Sequence, residues 1–453
     1  MRKVIFSLCF LFLSFSFCTA DQSIEGHPTT GRNVSYYGHQ VLEIYPNTLS
    51  KVQHFLNFGR KENLDIWKHA AHANDSIHVL LSPEKLRLMK IELEKMKTQF
   101  NVLIPDVEQL MHTERDNTHH RHKRSSNHFN LYSYQSTKQI YAFLDSVCSE
   151  SKALCNIFSI GRSSEGRDIK MLRLSAPKKR YQKLIILIDA GMHGREWISI
   201  SVILYFIYEL AINPTNKRVN KMLLNYFDWF FVPILNPDGY EYTRNYDRLW
   251  RKTRSRSSNY YNCIGVDINR NFPNHWNEIG SSEDPCSVEY AGVTALSEPE
   301  SMALANVMRM NEGDIVAYIS LHAYGQLWMY PWGYTLKPPN DLTDLFRLAS
   351  RATNAIRHYS KREYAVGPSS HILYIASGAS DDYAKADRHI KYAYTVELPD
   401  DGLYGFLLPS RLIPKTSEET FVGLKAFTKG LAKKTRRERN KRAKRQKRRL
   451  RRS

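Results

Sequence analysis

Long apolar runs are scarce in this chain of 453 residues. Beyond the first twenty residues the longest is Ile198 to Ala211, and it carries Ser199 and Glu209. It reads as a buried helix and not as a membrane span. Cysteine is also scarce, six in all with no CxxC spacing, which argues against a zinc cluster of four thiolates. Acid is short against base: 45 Asp and Glu face 65 Lys and Arg, for a net charge of +20. The excess is local. Fourteen Lys or Arg and one Glu stand between Lys433 and Ser453, so about +13 of the total sits in that tail. The remainder is only mildly basic, and the overall charge says little about the folded part.

What is present begins with a leader. Arg2 and Lys3 precede an apolar stretch from Val4 to Phe17 and then Cys18-Thr19-Ala20. That is the pattern of a secretory signal over residues 1–20, and it is too short for a membrane anchor. The expected location is extracellular, which argues against nucleic acid as a target for the tail. Without the leader four cysteines remain, Cys148, Cys155, Cys263 and Cys286. An even count in a secreted chain suggests disulfides. Local pairing, Cys148 with Cys155 and Cys263 with Cys286, is the simplest of three connectivities.

The length allows two or three domains. Residues 21–124 form a first unit. Ser35 to Pro46 alternates like a strand, Leu49 to Lys68 has helical spacing, and Ile77 to Leu81 is a short strand. Ser82-Pro83-Glu84 opens a helix with a capping hydroxyl and a proline at its first position. Asn101 to Ile104 is another short strand. The unit is expected to be a small α+β sandwich, and it holds no catalytic constellation. Asn33-Val34-Ser35 and Asn74-Asp75-Ser76 match the glycosylation acceptor pattern. From His112 to His128 periodicity is lost, and Arg121-His122-Lys123-Arg124 is a basic cluster in an exposed linker. Either this is a solvated connector or an endoprotease cuts after Arg124, and the folded segments on both sides favour the cut.

The second unit, residues 125–432, is organised around Lys183 to Trp197, KLIILIDAGMHGREW. The first half is an apolar, β-branched run without alternation, the pattern of a strand buried on both faces. Gly191 lets the chain turn, and His193 and Glu196 follow three residues apart. Such a pair can close on one metal ion, and with a distant His it leaves an open position for water. Apolar strand-like runs then alternate with helices: Ile198 to Leu210 is a helix, Trp229 to Leu235 a run ending in the turn signature Asn236-Pro237-Asp238-Gly239, and Ile315 to Leu321 a run ending at His322. Leu342 to Tyr359 is helical, and Lys391 to Leu398 is a last strand containing Glu397. The alternation predicts an α/β domain with a mostly parallel central sheet. His193, His322 and Glu397 all fall at or just past the C-terminal end of a predicted strand, where open α/β sheets bind ligands. Alone, Glu397 would more often be a buried paired carboxylate and His322 a hydrogen-bonded core histidine.

Together these residues resemble the funnel-type zinc metallocarboxypeptidases, the carboxypeptidase A and B subfamily. Besides His193-Gly194-Arg195-Glu196, the matching segments are Leu249 to Ser255, Gly265 to Asn271, Ser320-Leu321-His322, Tyr374, Ser377-Gly378, Glu397 and Tyr404 to Pro409, in the family's order. The resemblance covers nearly all of 125–432 and implies a mixed, mostly parallel eight-stranded sheet flanked by helices. Before it, the first unit resembles the family's inhibitory propeptide, an α+β antiparallel open sandwich.

The resemblance implies one Zn2+ held by His193, Glu196 and His322, with Asp267 orienting His193. Asn269 and Arg270 would hold the terminal carboxylate of a peptide or protein substrate, and Tyr374 would close over the bound residue. Arg195 and Tyr324 would line the neighbouring subsite. Arg251 would polarise the scissile carbonyl, and Glu397 would be general base and then acid; Arg254 reads as structural. Asp381 falls at the pocket-floor position, which implies release of C-terminal Lys or Arg; the plainer alternative is a solvated loop acid beside Asp382. Departures from the family pattern fall at Pro399, Tyr383, Gly333 and Leu373. Rival readings are a preference for apolar C-termini, a silent enzyme fold that binds matrix or heparin, and an amidase acting on another amide. Residues 433–453 have no counterpart in the family. They are expected to be disordered by self-repulsion and either merely solvated or a partner for anionic matrix polysaccharide.

Overall fold

The computed structural model describes residues 33–122, 129–151, 154–176, 183–213, 217–256 and 263–450. The leader and the cut site at Arg124 lie outside the described residues.

In the first unit the elements run β1 (Gln40–Tyr45), α1 (Leu49–Lys61), β2 (Asp65–Lys68), β3 (Ile77–Leu81), α2 (Pro83–Lys95), β4 (Gln99–Ile104) and α3 (Val107–His122). The four strands form an antiparallel sheet in the order β2-β3-β1-β4. Alternate side chains serve two faces. Leu42, Ile44, Val79 and Leu81 pack under the helices with Phe55, Met89 and Leu93. Val41, Leu80 and Ile104 point the other way and join the core of the second unit. Every residue of β3 is therefore buried. Ser82 accepts from the Lys85 N–H, with Pro83 behind it, as the capping signature predicts.

In the second unit follow α4 (Thr137–Glu150), β5 (Leu154–Arg162), β6 (Asp168–Ser175), β7 (Leu184–Ala190), α5 (Trp197–Ala211), α6 (Lys217–Tyr226), β8 (Phe227–Val232), α7 (Pro237–Asn245) and α8 (Pro299–Met310). Then come β9 (Ile315–Ala323), β10 (Leu327–Tyr330), α9 (Leu342–Ser360), β11 (Ala365–Pro368), α10 (Ser369–Ile372), α11 (Ser380–Ala386), β12 (Tyr392–Leu398) and α12 (Ile413–Leu450). The sheet has eight strands in the order β11-β10-β12-β9-β7-β8-β6-β5. Its centre, β12-β9-β7-β8, is parallel, and β6 and β5 add antiparallel on one side. Strand β7 explains its own lack of alternation. Ile186 and Ile188 face one core with α5, α9 and α12, while Ile185 and Leu187 face another with α8 and α11. Both disulfides are the local ones, Cys148–Cys155 and Cys263–Cys286.

Four expectations change. The helix over Leu49–Lys68 stops at Lys61, because Asn63 takes a left-handed conformation (φ 47°) and the Leu64 N–H closes on the Gly59 carbonyl. Leu64 and Trp67, read as helical, lead into and lie on the edge strand β2. The stretch after His112 is not a structureless linker but continues α3 to His122. Its anchors are Val107, Met111 and Glu114, and the last is polar, so hydrophobic spacing does not reveal it. Asn236-Pro237-Asp238-Gly239 is a helix start: the Asn236 side chain accepts from the Gly239 N–H and Pro237 is the first residue of α7. The basic tail, expected to be disordered, prolongs α12 to Leu450. Extending an existing helix needs no new nucleus, Lys and Arg are good helix formers, and cations suit a helix C-terminus.

Candidate active site

Parallel strands bring the chemistry together. Strand β7 ends at Ala190, and Gly191 turns the chain at φ 62° toward His193 and Glu196. Its neighbour β9 carries His322 near its end, and β12 places Glu397 in register opposite His322. His193, Glu196 and His322 each offer a ligand atom, and these atoms lie within 4.8 Å of one another. Glu196 Oε1 is 2.7 Å from His193 Nδ1, and Oε2 is 3.0 Å from His322 Nδ1.

The second nitrogen of each imidazole is occupied. His193 Nε2 lies 3.1 Å from Asp267 Oδ1, and His322 Nε2 donates to Ser320 Oγ at 2.9 Å. Ser320 in turn donates to Asp189. Both Nδ1 atoms are thereby left to converge on one point, so two neutral imidazoles and a carboxylate fit a zinc ion. Asp267 also accepts from Arg251 Nε and Nη2, at 3.0 and 2.8 Å. Burial alone would raise the Asp267 pKa, but Arg251, Arg270 and His193 outweigh it and hold it well below the usual range. Glu397 has the opposite environment. The residue is half-buried but its Oε2 is buried and has no partner, and desolvation pushes its pKa up to about 8 despite His322 nearby.

The residues expected to hold a peptide end line one cleft of about 280 Å³: Arg195, Arg251, Asn269, Arg270, Tyr324, Tyr374, Asp381 and Glu397 all face it. Arg270 donates from Nη2 to the Tyr374 hydroxyl and, at 3.4 Å, to Glu289. Asp381 is buried on α11. One of its oxygens accepts the Asp382 N–H at 3.0 Å and the other has no partner. Burial raises its pKa. Asp382 is not a solvated neighbour, since it accepts the N–H groups of Gly333 and Tyr334. The loop before α11 is locked to the clamp. Gly378 lies so close to Arg270 that a Cβ would stand 2.2 Å from its carbonyl oxygen. Gly378 also accepts the Phe272 N–H, and Asn269 Oδ1 accepts the Ser380 N–H. Arg254 stacks on Tyr242 and Trp250, with its guanidinium carbon 3.6 and 4.5 Å from the ring centroids, a structural role.

The first unit roofs this cleft through residues whose part is not visible in the sequence. Asp65 accepts from Arg195 at 2.6 Å. Trp67 packs edge-on against Phe406 and Tyr324. His69 stacks on Tyr374 with centroids 4.0 Å apart and lies 3.6 Å from Glu289. His78, fully buried, meets the Tyr324 hydroxyl at 3.0 Å. Asp189 and Glu289 are further site residues that the sequence does not reveal, and Ser320 stands there in a matching segment without a role; only its alternation with His322 along one strand points to the Asp189–Ser320 pair.

Comparison with known proteins agrees with this geometry. The zinc carboxypeptidase profile matches residues 140–423, and the carboxypeptidase activation peptide profile matches 42–114. Carboxypeptidase A2 of Mus musculus is 35% identical over 395 residues, covering 86% of this chain and 93% of that protein. Carboxypeptidase B of Astacus astacus is 43% identical over 293 residues, covering 65% of this chain and 95% of that one. The crystal structure of thrombin activatable fibrinolysis inhibitor superimposes with a TM-score of 0.78 at 32% identity, over 88% of this chain and all of that one. Two profiles in the expected order, a His-Glu-His group placed for a metal and a roofed cleft together show that the chain belongs to the zinc carboxypeptidase family and is a metallocarboxypeptidase zymogen carrying its activation peptide.

Proposed function

We propose that the chain is made with a cleaved secretory leader, exported, and activated by an endoprotease after Arg124, and that the freed enzyme removes one Lys or Arg from the C-terminus of peptides and proteins. The basic preference is carried by the unpartnered oxygen of Asp381 at the pocket floor. A buried carboxylate facing an apolar side chain stays unpaired, whereas an ammonium or guanidinium satisfies it. The rival preference for apolar ends has Met329, Ile372 and Leu373 lining the same cleft in its favour. Asn33 and Asn74 are exposed, as glycosylation acceptors must be.

His193, Glu196 and His322 would hold zinc, which when bound supplies Lewis acidity toward a carbonyl oxygen and a water. In the proposed roles Asp267 orients His193. Arg270 and Asn269 take the terminal carboxylate, which an internal peptide bond cannot offer. Tyr374 covers the bound residue. Arg251 donates to the scissile carbonyl oxygen as charge develops there. Glu397 takes a proton from the attacking water and returns it to the leaving nitrogen; burial of its carboxyl favours the protonated form that the second half of that transfer requires. Arg195 and Tyr324 serve the next residue of the substrate, and the first unit inhibits by occupying them.

The test is kcat/KM on paired peptides ending in Arg and in Phe, after activation, with and without a chelator. Faster release of Arg, reversed in Asp381→Ile, is the expected result. Equal rates would end the basic assignment, and absence of chelator-sensitive hydrolysis of either peptide would favour a silent binding protein.

A further inference from the structure

Helices α9 and α12 lie antiparallel, and the contacts fix their alignment. A Cβ on Gly423 would meet Ile356, one on Gly430 would meet Arg351 and Leu348, and Lys434 pairs with Asp344. Asp344 also takes Lys391 at 2.9 Å, and Lys391 immediately precedes β12. This end of the helix pair therefore sits at the start of β12, whereas Glu397 and the cleft sit at its end. Five strand residues at about 3.3 Å each put roughly 17 Å between the two levels. Along α12, the twenty residues from Ile413 to Lys433 span about 30 Å.

That far pole is strongly cationic. Arg347 and Arg351, one turn apart on α9, are exposed beside Lys429, Lys433, Arg436 and Arg437 of α12. None of the six has an ion-pair partner among the described residues. α9 contains one acid, Asp344, already shared by two lysines, and no acid occurs from Phe421 to Arg437. The helix backbone then continues to Leu450 through the densest basic sequence in the chain. No aromatic residue occurs after Phe427, so the helix end lacks the stacking platforms that single-stranded nucleic acids use. A rod of charge joined to a charged body face suits an extended polyanion whose binding is driven by counterion release.

We propose that Arg347, Arg351, Lys429, Lys433, Arg436 and Arg437 form a docking surface for a linear sulfated polysaccharide at the pole opposite the catalytic cleft, extended by the basic helix to Leu450. The choice of a sulfated sugar rests on the secretion reading above, because that is the linear polyanion such a chain would meet. Docking there leaves the cleft and its roof uncovered, so zymogen and cut enzyme bind alike and the cut enzyme keeps its activity when bound.

The experiment is salt elution of the purified full chain from immobilised heparin, beside the exposed double variant Arg347→Ser/Arg351→Ser and a chain ending at Arg437, each first checked for an unchanged melting temperature. Both variants are expected to elute at lower salt. The double variant should also lower the slope of log affinity against log salt by about two. Elution of the double variant together with the parent would overturn the body surface. Stronger retention on duplex DNA than on heparin would overturn the choice of partner. Inhibition of small-peptide hydrolysis by saturating heparin would overturn the placement away from the cleft. Retention needs neither activity nor export, so an inactive enzyme, or a chain absent from culture medium, would sink the proposed function and leave this measurement standing.

Discussion

Arg248 and Glu114 meet through two parallel hydrogen bonds, Nε to Oε2 at 2.8 Å and Nη2 to Oε1 at 2.9 Å, with each residue 1% exposed. The pair joins α3 of the activation peptide to the catalytic unit. Arg248 also stacks on Trp197 and donates to the Arg195 and Phe406 carbonyls. Removing one partner of a buried pair leaves the other charge stranded, at about 3–5 kcal/mol. Glu114→Gln is expected to lower the melting temperature of the zymogen and raise its activity before cutting. The separated mature enzyme, which lacks Glu114, should melt as before. An unchanged zymogen melt would show that the pair contributes nothing to the hold.

Two histidines make that hold sensitive to pH. Burial depresses His69 to about 4, with Arg270, Arg251 and Arg60 adding to the effect and Glu289 opposing it. Burial, helped by Lys68, depresses His78 to about 4 against Glu43 and Asp401. Released from the cleft, both return toward the ordinary value of about 6.5. Depressed histidines favour the docked, neutral state. Their contribution is full above about pH 6.5 and lost as pH falls from there toward 4. After cutting, the peptide should bind roughly 10²–10³-fold more weakly at about pH 5 than at about pH 7.5. Gel filtration of the nicked protein reads this without using activity. His69→Phe with His78→Gln should flatten the profile, and a parent profile already flat would refute the role of both.

Glu397 and the three ligands should separate cleanly. Glu397→Gln keeps the shape and removes the base, so kcat should fall about 10²–10⁴-fold with zinc content still one per chain by mass spectrometry. His322→Ala should lose the metal and activity together, and a chelator should reproduce that loss reversibly. Loss of zinc from Glu397→Gln would make Glu397 a ligand and reassign the base.

The Cys263–Cys286 bridge closes a loop of 23 residues' separation beside Lys252 and Tyr290. Closure of a loop that long stabilises by about 3 kcal/mol. Replacing both cysteines by Ser should lower the unfolding midpoint accordingly, while replacing Cys148 and Cys155, seven apart, should cost less. The reverse order would contradict the loop-length argument.

Strand ends were the legible part of this chain. β7, β9 and β12 announce themselves as apolar runs buried on both faces, and His193, His322 and Glu397 fall at or just past their C-terminal ends. Residues whose purpose lies in another element were hidden. Asp65, His69, His78 and Glu114 look like surface residues of a small domain until the second unit is placed against them. Asp189 reads as one more strand residue until Ser320 and His322 line up beside it. The tail and α3 were misread for a common reason: charge density and lost hydrophobic spacing say nothing about a helix that is already propagating from a packed turn.

The close seat of Gly378 on the Arg270 backbone has a stereochemical consequence. It welds the loop that leads to Asp381 onto the loop bearing Asn269 and Arg270, so the two cannot shift apart to suit a guest. In the roles proposed above, Asp381, Arg270 and Arg251 would grip three groups of one bound residue at fixed corners, which selects one hand of its α-carbon. A peptide ending in D-arginine should therefore survive untouched beside its mirror image.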